Sequence, residues 1–527
     1  MVSEFKRNAS GELRLMVGGE PFTMLAGECH NSSSSSPRVF AEACDRAVSL
    51  GMNSVLVPVT WELLEPEEGV FDFSQVDMVL DVARERGLRL GLLWFGAWKN
   101  AQCYYAPAWV KRDLGRFPRA QMVAGKNKVR MPDFHNFPYA ALSLFGDETR
   151  AADARAFASL MAHLREVDGE QGTVVSMQVE NEVGEMAAGR EHSAAADAAF
   201  ASEVPADFLE ELRGTRGLLA DDILAALDAG CGSGTWEEVF GEVAEEVFTT
   251  YYMASYVQFI AEAGLAEHKL PLSANCWLDK GHKPGRFPTG GPNARVFGVW
   301  RAVAPSIEVL APDIYVPYFC DVADSYRAGG NPLLVPETAT HAYAAPRAIW
   351  SVGHHHAVCF APFGYEEMGE PFDSSAGILF GADTSDPALR TPQDPDEYAA
   401  VMRGLAALVE VVGADGRMDA ATAERPDDNV IDLGDFKVAV SFAEGDLPGA
   451  CAFARGADGA VYVLALRCTI DFVSGDEARP NVDILALEDG EMVDGAWVRD
   501  QRLNGDEVAM LVFDAPTLLR AELLAYE

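Results

Sequence analysis

The chain repeats one pattern over most of its length, a short apolar run followed by a stretch long enough for a helix. Apolar runs of roughly four to eight residues rich in Val, Leu and Ile are typical of parallel strands buried on both faces. The pattern predicts strands at 22–26, 54–58, 88–95, 173–179, 270–274, 307–315, 333–336 and 357–363. About eight strand-helix units are what a closed barrel requires, so we predict an α/β fold, a (β/α)8 TIM barrel.

The chain is too long for a single ordinary core, and its pattern changes near the C-terminus. Helices are predicted at 39–50, 76–86, 153–167, 236–264, 346–353 and 397–412. Beyond Pro426 the alternation gives way to β-rich runs at 436–442, 461–468, 481–488, 507–513 and 519–526. We therefore predict a barrel over 1–415, with an α-helical insertion around 185–241, and a C-terminal all-β sandwich or jelly-roll domain over 426–527.

Charge and cysteine content exclude several classes of partner. The 81 acidic residues outnumber the 41 basic residues, which gives a formal net charge of −40. Such a surface repels phosphate backbones and anionic membranes, so we expect neither a nucleic acid nor a membrane partner. The first residues lack an apolar signal region, and the nine cysteines include no CxxC pair. Free thiols without an export signal predict a cytoplasmic protein.

Two of the predicted strands end in an acid. Asn181 and Glu182 close the fourth strand, and Glu337 closes the seventh. Barrel proteins build their sites from residues at the carboxyl ends of several strands, so both acids should meet at one mouth. Hydrolysis of a glycosidic bond needs one carboxylic acid to protonate the leaving oxygen and one carboxylate to act on the anomeric carbon. The pair predicts sugar chemistry.

Several motifs together resemble the β-galactosidases of glycoside hydrolase family 35, in the bacterial branch with a short C-terminal β domain. That family shares its barrel clan with family 42. The similar stretches are 61–73 (WELLEPEEGVFDF), 93–100 (LWFGAWKN), 106–109 (APAW), 177–184 (MQVENEVG), 275–278 (NCWL), 311–315 (APDIY), 336–337 (PE) and 361–364 (APFG).

The resemblance implies a retaining mechanism that needs no cofactor. It assigns Glu182 as the acid/base, Glu337 as the nucleophile and Asn181 as a contact to the sugar 2-hydroxyl. In such a mechanism the two carboxyl groups lie about 5–5.5 Å apart. Tyr315 resembles the tyrosine that holds the nucleophile in barrel glycosidases, with a packing role as its alternative.

Further candidates for sugar binding follow other strands. The family places polar groups and a stacking ring after the third strand, where this chain has Trp98, Lys99 and Asn100. Many relatives have a Cys- or Asn-Ala-Glu arrangement there, so the preferred sugar is open. The remaining candidates are strand-end residues that bind hydroxyls or form an aromatic wall, with loop ion pairs or core packing as the alternatives: Glu28, His30, Glu62 and Trp277.

Other signals are weaker. His354, His355 and His356 are adjacent and so cannot all face one ion, and no acid or thiol at ligand spacing accompanies them, so we predict no metal site. The expected activity is a retaining exo-β-galactosidase that acts on a small-molecule glycoside or oligosaccharide. The alternatives are a retaining β-glycosidase for another sugar (a glucosaminide, fucoside, arabinoside or plant glycoside) and an inactive carbohydrate-binding protein. The β domain would cover the barrel or build a homo-oligomer interface.

Overall fold

The strand-helix alternation forms a closed parallel barrel in the computed structural model, which describes residues 2–123, 125–131, 136–371, 386–413, 416–427, 429–443, 445, 447–493 and 495–527. We number the barrel strands β1 (Met24–Glu28), β2 (Ser54–Thr60), β3 (Arg89–Phe95), β4 (Val174–Val179), β5 (Leu272–Trp277), β6 (Val309–Ile314), β7 (Leu334–Thr338) and β8 (Cys359–Pro362). Each pairs in parallel with the next, and β8 closes on β1. The predicted barrel is confirmed.

The interior of the barrel is packed with side chains. Every residue of β1, β2 and β7 is buried, as expected for strands covered on both faces. A short antiparallel hairpin over Ser3–Arg7 and Leu13–Val17, followed by Glu20–Pro21, adds Leu15 and Val17 to this interior cluster. The apolar run predicted for 22–26 belongs to β1, whereas the hairpin before it has mixed burial and was not predicted.

Helices cover the outside of the barrel and lengthen the connection after β4. Helices of at least four residues span Pro37–Ser49, Trp61–Leu64, Ser74–Glu85, Ala108–Arg112, Asp147–Val167, Ala194–Phe200, Ala206–Gly214, Asp221–Ala229, Trp236–Phe240, Ala244–Leu265, Phe297–Val303, Phe319–Ser325, Ala344–His355, Pro395–Val412 and Asp506–Ala509. A two-stranded ribbon, Val129–Met131 with Phe137–Tyr139, lies in the connection after β3. Among the described residues, none of the helices combines the length and apolar character needed to cross a bilayer.

The chain ends in two antiparallel sheets that share one apolar core. The first has six strands in the order Met418–Thr422, Ala450–Arg455, Val461–Leu466, Thr517–Tyr526, Asn481–Val493 and Ala496–Arg502. The second has four, Val430–Asp432, Phe436–Ser441, Cys468–Ser474 and Val512–Phe513. Val438 and Ile470 from one sheet pack in the same cluster as Phe453 and Val463 from the other. This arrangement confirms the predicted C-terminal all-β fold. The end of the predicted barrel, at residues 414–415, lies outside the described residues.

Three predicted elements differ from the structure. The helix predicted over 236–264 is interrupted at Gly241, where φ is 53° and a 3-10 turn separates two helices. The strand predicted over 507–513 is a short helix, Asp506–Ala509, followed by Val512–Phe513. The run predicted over 461–468 ends at Leu466, because Arg467 has a φ of 48° and the chain passes there from one sheet to the other.

Candidate active site

Two carboxylates from distant parts of the chain lie together at the carboxyl ends of the barrel strands. Glu182 follows β4 and is 1% exposed, and Glu337 lies near the end of β7 and is 4% exposed. A third acid, Asp313, lies near the end of β6. Carboxylate oxygens of all three residues lie within 4.8 Å of one another. The barrel therefore gathers these acids in one buried cluster.

Hydrogen-bond donors hold Glu337 in one orientation. The Tyr315 hydroxyl donates to its Oε2 at 2.9 Å, and the Asn181 side-chain amide donates to its Oε1 at 3.5 Å. Donors on both oxygens stabilise the ionised form of a carboxylate. Each oxygen of Glu337 therefore has a donor that fixes its direction.

Lys99 brings a cation between the two acids. Its side chain is 3% exposed, and its Nζ lies 3.8 Å from Glu337 Oε1 and 3.9 Å from Glu182 Oε2. Burial lowers the pKa of Lys99, but the carboxylates of Glu337 and Glu182 outweigh it, so the pKa is raised above its ordinary value. Three clustered carboxylates could ligate a hard divalent cation, yet here the Lys99 ammonium supplies the positive charge beside two of them.

Glu182 is anchored through its backbone. Its N–H donates to Asn275 Oδ1 at 2.9 Å, and the Asn275 amide donates to both oxygens of Asp313, at 3.2 and 2.9 Å. A single asparagine on β5 thus connects the end of β4 to the end of β6. Glu182 itself has a φ of 47°, an unusual conformation for a residue with a side chain.

Burial and neighbouring charge favour the protonated form of Glu182. Removal from water raises its pKa to about 8, with a further contribution from the Glu337 carboxylate that Lys99 partly offsets. The pKa of Asp313 is also raised, first by burial and then by Glu337 and Glu182. Glu182 thus favours its protonated form, whereas Glu337 accepts a hydrogen bond on each oxygen. Such a difference between two neighbouring carboxyl groups is what separate acid and base roles require.

Glu28 adds a fourth carboxyl group at the end of β1. It is fully buried, and neither of its oxygens has a hydrogen-bond partner among the described residues. Burial raises its pKa, and the nearby Glu337 carboxylate raises it further. A buried polar group without a partner is costly, so a ligand hydroxyl that bonds to Glu28 would remove a penalty.

A second acid at the end of β4 positions the turn that carries Lys99. Glu180, with a φ of 62°, accepts hydrogen bonds from the backbone N–H groups of Ala97 and Trp98, at 3.2 and 2.8 Å. The turn after β3 is therefore tied to the residue two positions before Glu182. The spacing between Lys99 and the acids depends on this connection.

Glu180 shares its buried site with Asp153. The Asp153 carboxyl accepts from Trp94 Nε1 at 2.9 Å and from the Tyr256 hydroxyl at 2.9 Å. Burial and then the neighbouring Asp153 carboxyl raise the pKa of Glu180, and burial raises the pKa of Asp153 as well. A Cβ at Gly96 would lie 2.6 Å from oxygens of both acids, which explains the glycine at this turn.

The predicted site residues divide into two groups. The structure brings together Glu182, Glu337, Asn181, Tyr315, Lys99 and Glu28. Trp277 ends β5, lies close enough to Glu182 to lower its pKa and is only partly buried. The Trp98 ring packs edge to face on Tyr256 at 4.6 Å within the barrel core.

The remaining candidates lie around this cluster. Glu62 forms an ion pair with Lys111 at 3.7 Å and its side chain is 42% exposed. The His30 ring lies edge-on to Phe363 at 5.2 Å and is 41% exposed. Asn100 follows Lys99 with a φ of 53° and is partly buried. None of the contacts described for these three residues joins them to Glu182 or Glu337.

Four residues of the site were not predicted. Asp313 could have been predicted from the sequence, because it follows an apolar run as Glu337 does. In the structure the two residues are paired in register on neighbouring strands. Asn275, Glu180 and Asp153 had none, because their roles depend on partners far away in the chain.

Parts of this chain are similar to known glycoside hydrolases. Residues 14–114 match the model for glycosyl hydrolases family 35, and residues 397–513 match a domain of unknown function, DUF5597. A β-galactosidase of Xanthomonas manihotis is 29% identical over 173 residues, which cover 32% of this chain and 25% of that protein. The chain thus spans only a quarter of that relative. These matches confirm the resemblance to family 35.

Two solved structures overlap with the chain at low sequence identity. A β-galactosidase from the psychrophilic Marinomonas ef1 overlaps with 73% of this chain and 60% of its own, at 14% identity and a TM-score of 0.47. A catalytic mutant of Gan42B, a family 42 β-galactosidase from G. stearothermophilus, overlaps with 95% of this chain and 98% of its own, at 11% identity and a TM-score of 0.47.

Proposed function

We propose that this protein is a retaining exo-β-galactosidase that hydrolyses terminal β-D-galactosides by double displacement. Glu337 attacks the anomeric carbon while Glu182 protonates the leaving oxygen. The Glu337 charge disappears in the covalent intermediate, so the pKa of Glu182 falls and the same residue then accepts a proton from water. Tyr315 and Asn181 orient Glu337 for the attack.

One observation carries the proposal, the separation of the two acids. One oxygen of Glu182 lies within 4.8 Å of one oxygen of Glu337. Retaining glycosidases have carboxyl groups about 5–5.5 Å apart, whereas inverting enzymes need about 6.5–9.5 Å to admit a water molecule. A gap this short between two carboxyl oxygens leaves little room for the water of an inverting mechanism, which supports a covalent intermediate.

A second candidate is a retaining β-glycosidase for another sugar. The turn after β3 presents the Lys99 ammonium, and Trp98 at the same turn is buried in the core. Hydroxyl recognition at this turn would therefore use a cation, where many family relatives use a carboxylate. This difference bears on the preferred sugar and leaves the hydrolytic chemistry unchanged.

The proposal is tested by a panel of aryl β-glycosides with NMR of the products from the first minutes. We expect the galactoside to be hydrolysed fastest and the β-anomer of the free sugar to form first. A clear preference for another glycone would favour the second candidate. First release of the α-anomer would exclude retention, and binding of sugars without turnover of any glycoside would indicate a carbohydrate-binding protein.

The raised pKa of Glu182 predicts the alkaline side of the pH profile. Because Glu182 must carry its proton in the first step, kcat/KM should be level below pH 8 and fall tenfold per unit above a midpoint at about 8. The midpoint is measured with a substrate whose leaving group needs acid assistance. Glu182→Ala, assayed on an activated aryl glycoside, should lack this alkaline limb. A decline that begins near 4.5, the ordinary pKa of the group, would contradict the assignment.

The chemistry of the thiols bears on location. Each of the nine cysteines is free, and eight of them are buried. Free thiols are typical of a reducing compartment, which supports a cytoplasmic location.

We propose a small-molecule glycoside or oligosaccharide as the substrate. A homo-oligomer through the C-terminal sheets is part of the same proposal and is tested by light scattering of the full chain.

A further inference from the structure

Two neighbouring histidines lie at the end of the helix Ala344–His355, far from the carboxyl ends of the barrel strands. The His354 and His355 rings lie 4.8 Å apart, and both pack against Trp350, at 5.3 and 4.6 Å. His356 is separated from them by a left-handed backbone conformation and turns instead to Glu12, at 2.9 Å. Two imidazoles, rather than three, are therefore presented together.

A carboxylate from another helix completes this group. Asp324, in the helix Phe319–Ser325, places Oδ1 3.0 Å from His355 Nε2. One ligand atom from each of His354, His355 and Asp324 lies within 4.8 Å of the other two. The second oxygen of Asp324 pairs with Arg425 at 2.6 Å, and the same guanidinium pairs with Asp321 at 2.6 Å. The Arg425 charge is thus already balanced by two acids.

A fourth side chain orients one of the histidines. Asp419, in the strand Met418–Thr422, lies 2.7 Å from His354 Nδ1. A carboxylate that accepts the Nδ1 proton leaves the lone pair on Nε2, the arrangement that commonly supports metal-binding histidines. This contact gives the group an outer partner as well as three ligands.

We propose that His354, His355 and Asp324 bind a late first-row divalent cation such as Zn²⁺, with water in the remaining position. Two imidazoles and one carboxylate suit Zn²⁺, which is usually four-coordinate in proteins. Side-chain exposures of 43% for His354 and 47% for Asp324 give the ion a path from solvent. His355 is 9% exposed, so its ring is held in place by the surrounding core while the other two ligands face the solvent.

The sequence alone does not predict this site, for a physical reason. Adjacent histidines alone predict no metal site, and the acid that completes the group is distant in the chain and arrives from a different helix. No acid lies at ligand spacing from the histidines along the chain, and Asp324 reaches them only in the folded structure.

The location of this site between the barrel and the β domain indicates what a bound ion would do. The helix Ala344–His355 packs closely on the six-stranded C-terminal sheet, since a Cβ at Gly353 would lie 2.6 Å from Ala420 Cβ. Through Asp419 the ion would connect that sheet to two helices of the barrel. It would therefore stabilise the junction between the barrel and the β domain, independently of hydrolysis.

The test is calorimetric titration of tag-free, chelator-treated full chain with Zn²⁺, together with thermal unfolding with and without Zn²⁺. We expect about one ion per chain and a Tm that rises when Zn²⁺ is added. His354→Ala and Asp324→Asn should each weaken binding at least tenfold and abolish the rise in Tm. Asp419→Asn, which removes only the outer partner, should weaken binding by about 10–100-fold.

His163→Ala is the matched control. His163 forms a surface pair with Asp77 of the same length as the His354–Asp419 pair, 2.7 Å, but has no third ligand among the described residues. This variant should bind Zn²⁺ as the wild type does. No binding by the wild type, or binding that survives His354→Ala and Asp324→Asn in correctly folded protein, would overturn the proposal. Circular dichroism and gel filtration establish the folding of each variant.

Discussion

Glu337→Gln is expected to lower kcat on an aryl β-galactoside by on the order of 10⁴-fold or more, because it removes the group that forms the covalent bond to the sugar. Loss of a nucleophile in a well-studied protease costs about 10⁶-fold in kcat, which sets the scale. The glutamine amide retains the size of the side chain and can still contact Tyr315, whose hydroxyl lies 2.9 Å from the wild-type carboxylate. The measurement is steady-state kinetics with an activated leaving group.

Azide distinguishes the roles of the two acids. In Glu337→Ala, azide should attack the sugar directly and give the α-glycosyl azide. In Glu182→Ala, the intermediate still forms on activated substrates, and azide should give the β-product. General acid catalysis contributes about 10²–10⁴-fold to the rate. Glu182→Ala should therefore lose most activity on substrates with poor leaving groups.

A carboxylate at the opposite end of the barrel serves as the control. Glu308 precedes β6 and is partly buried, so Glu308→Gln makes the same chemical change away from the acids. Its kcat should stay within about twofold of the wild-type value, a margin on the order of the small effects expected for changes away from a site. Near wild-type activity in both Glu337→Gln and Glu182→Ala would refute the proposed mechanism.

Lys99→Met should produce the second-largest effect. A pair of unit charges 4 Å apart interacts by about 4 kcal/mol at an effective dielectric constant of 20, and Lys99 Nζ lies 3.8 Å from Glu337 Oε1. Since about 1.4 kcal/mol is a factor of ten, kcat/KM should fall by on the order of 10³-fold. The Lys99 ammonium lowers the pKa of Glu182, so without it Glu182 should hold its proton more tightly and the alkaline limb of the profile should move to higher pH.

Two variants serve as controls for Lys99→Met: Lys99→Arg, which keeps the positive charge, and Lys111→Met, which removes a lysine from a more exposed ion pair. Arginine keeps the cation and should retain more activity than methionine. Lys111 forms a pair of similar length with Glu62, 3.7 Å, but is 32% exposed, and exposed pairs contribute about 0–1 kcal/mol. Lys111→Met should therefore leave the pH profile unchanged. If Lys99→Met raises KM alone with kcat and the pH profile intact, Lys99 binds the sugar and does not act on Glu337.

The sequence predicts the barrel because local patterns carry its information. Barrel strands such as Ser54–Thr60 and Arg89–Phe95 are largely apolar runs, and an acid at the end of such a run projects from the carboxyl end of a strand. Glu182 and Glu337 can therefore be paired from their positions in the chain alone. The β domain is harder to predict, since strands such as Ala496–Arg502 are mostly exposed and their residues show no apolar run.

What the sequence by itself determined is the order of strands and helices, the strand ends that carry acids and the excess of negative charge. Only the tertiary structure decided which side chains meet. It placed Lys99 between the two acids, joined Glu180 to Asp153 behind them and brought Asp324 to the histidines. The physical reason is that periodicity reports the burial of a residue in its own element, whereas hydrogen bonds and charge pairs depend on distances between elements that no local pattern contains.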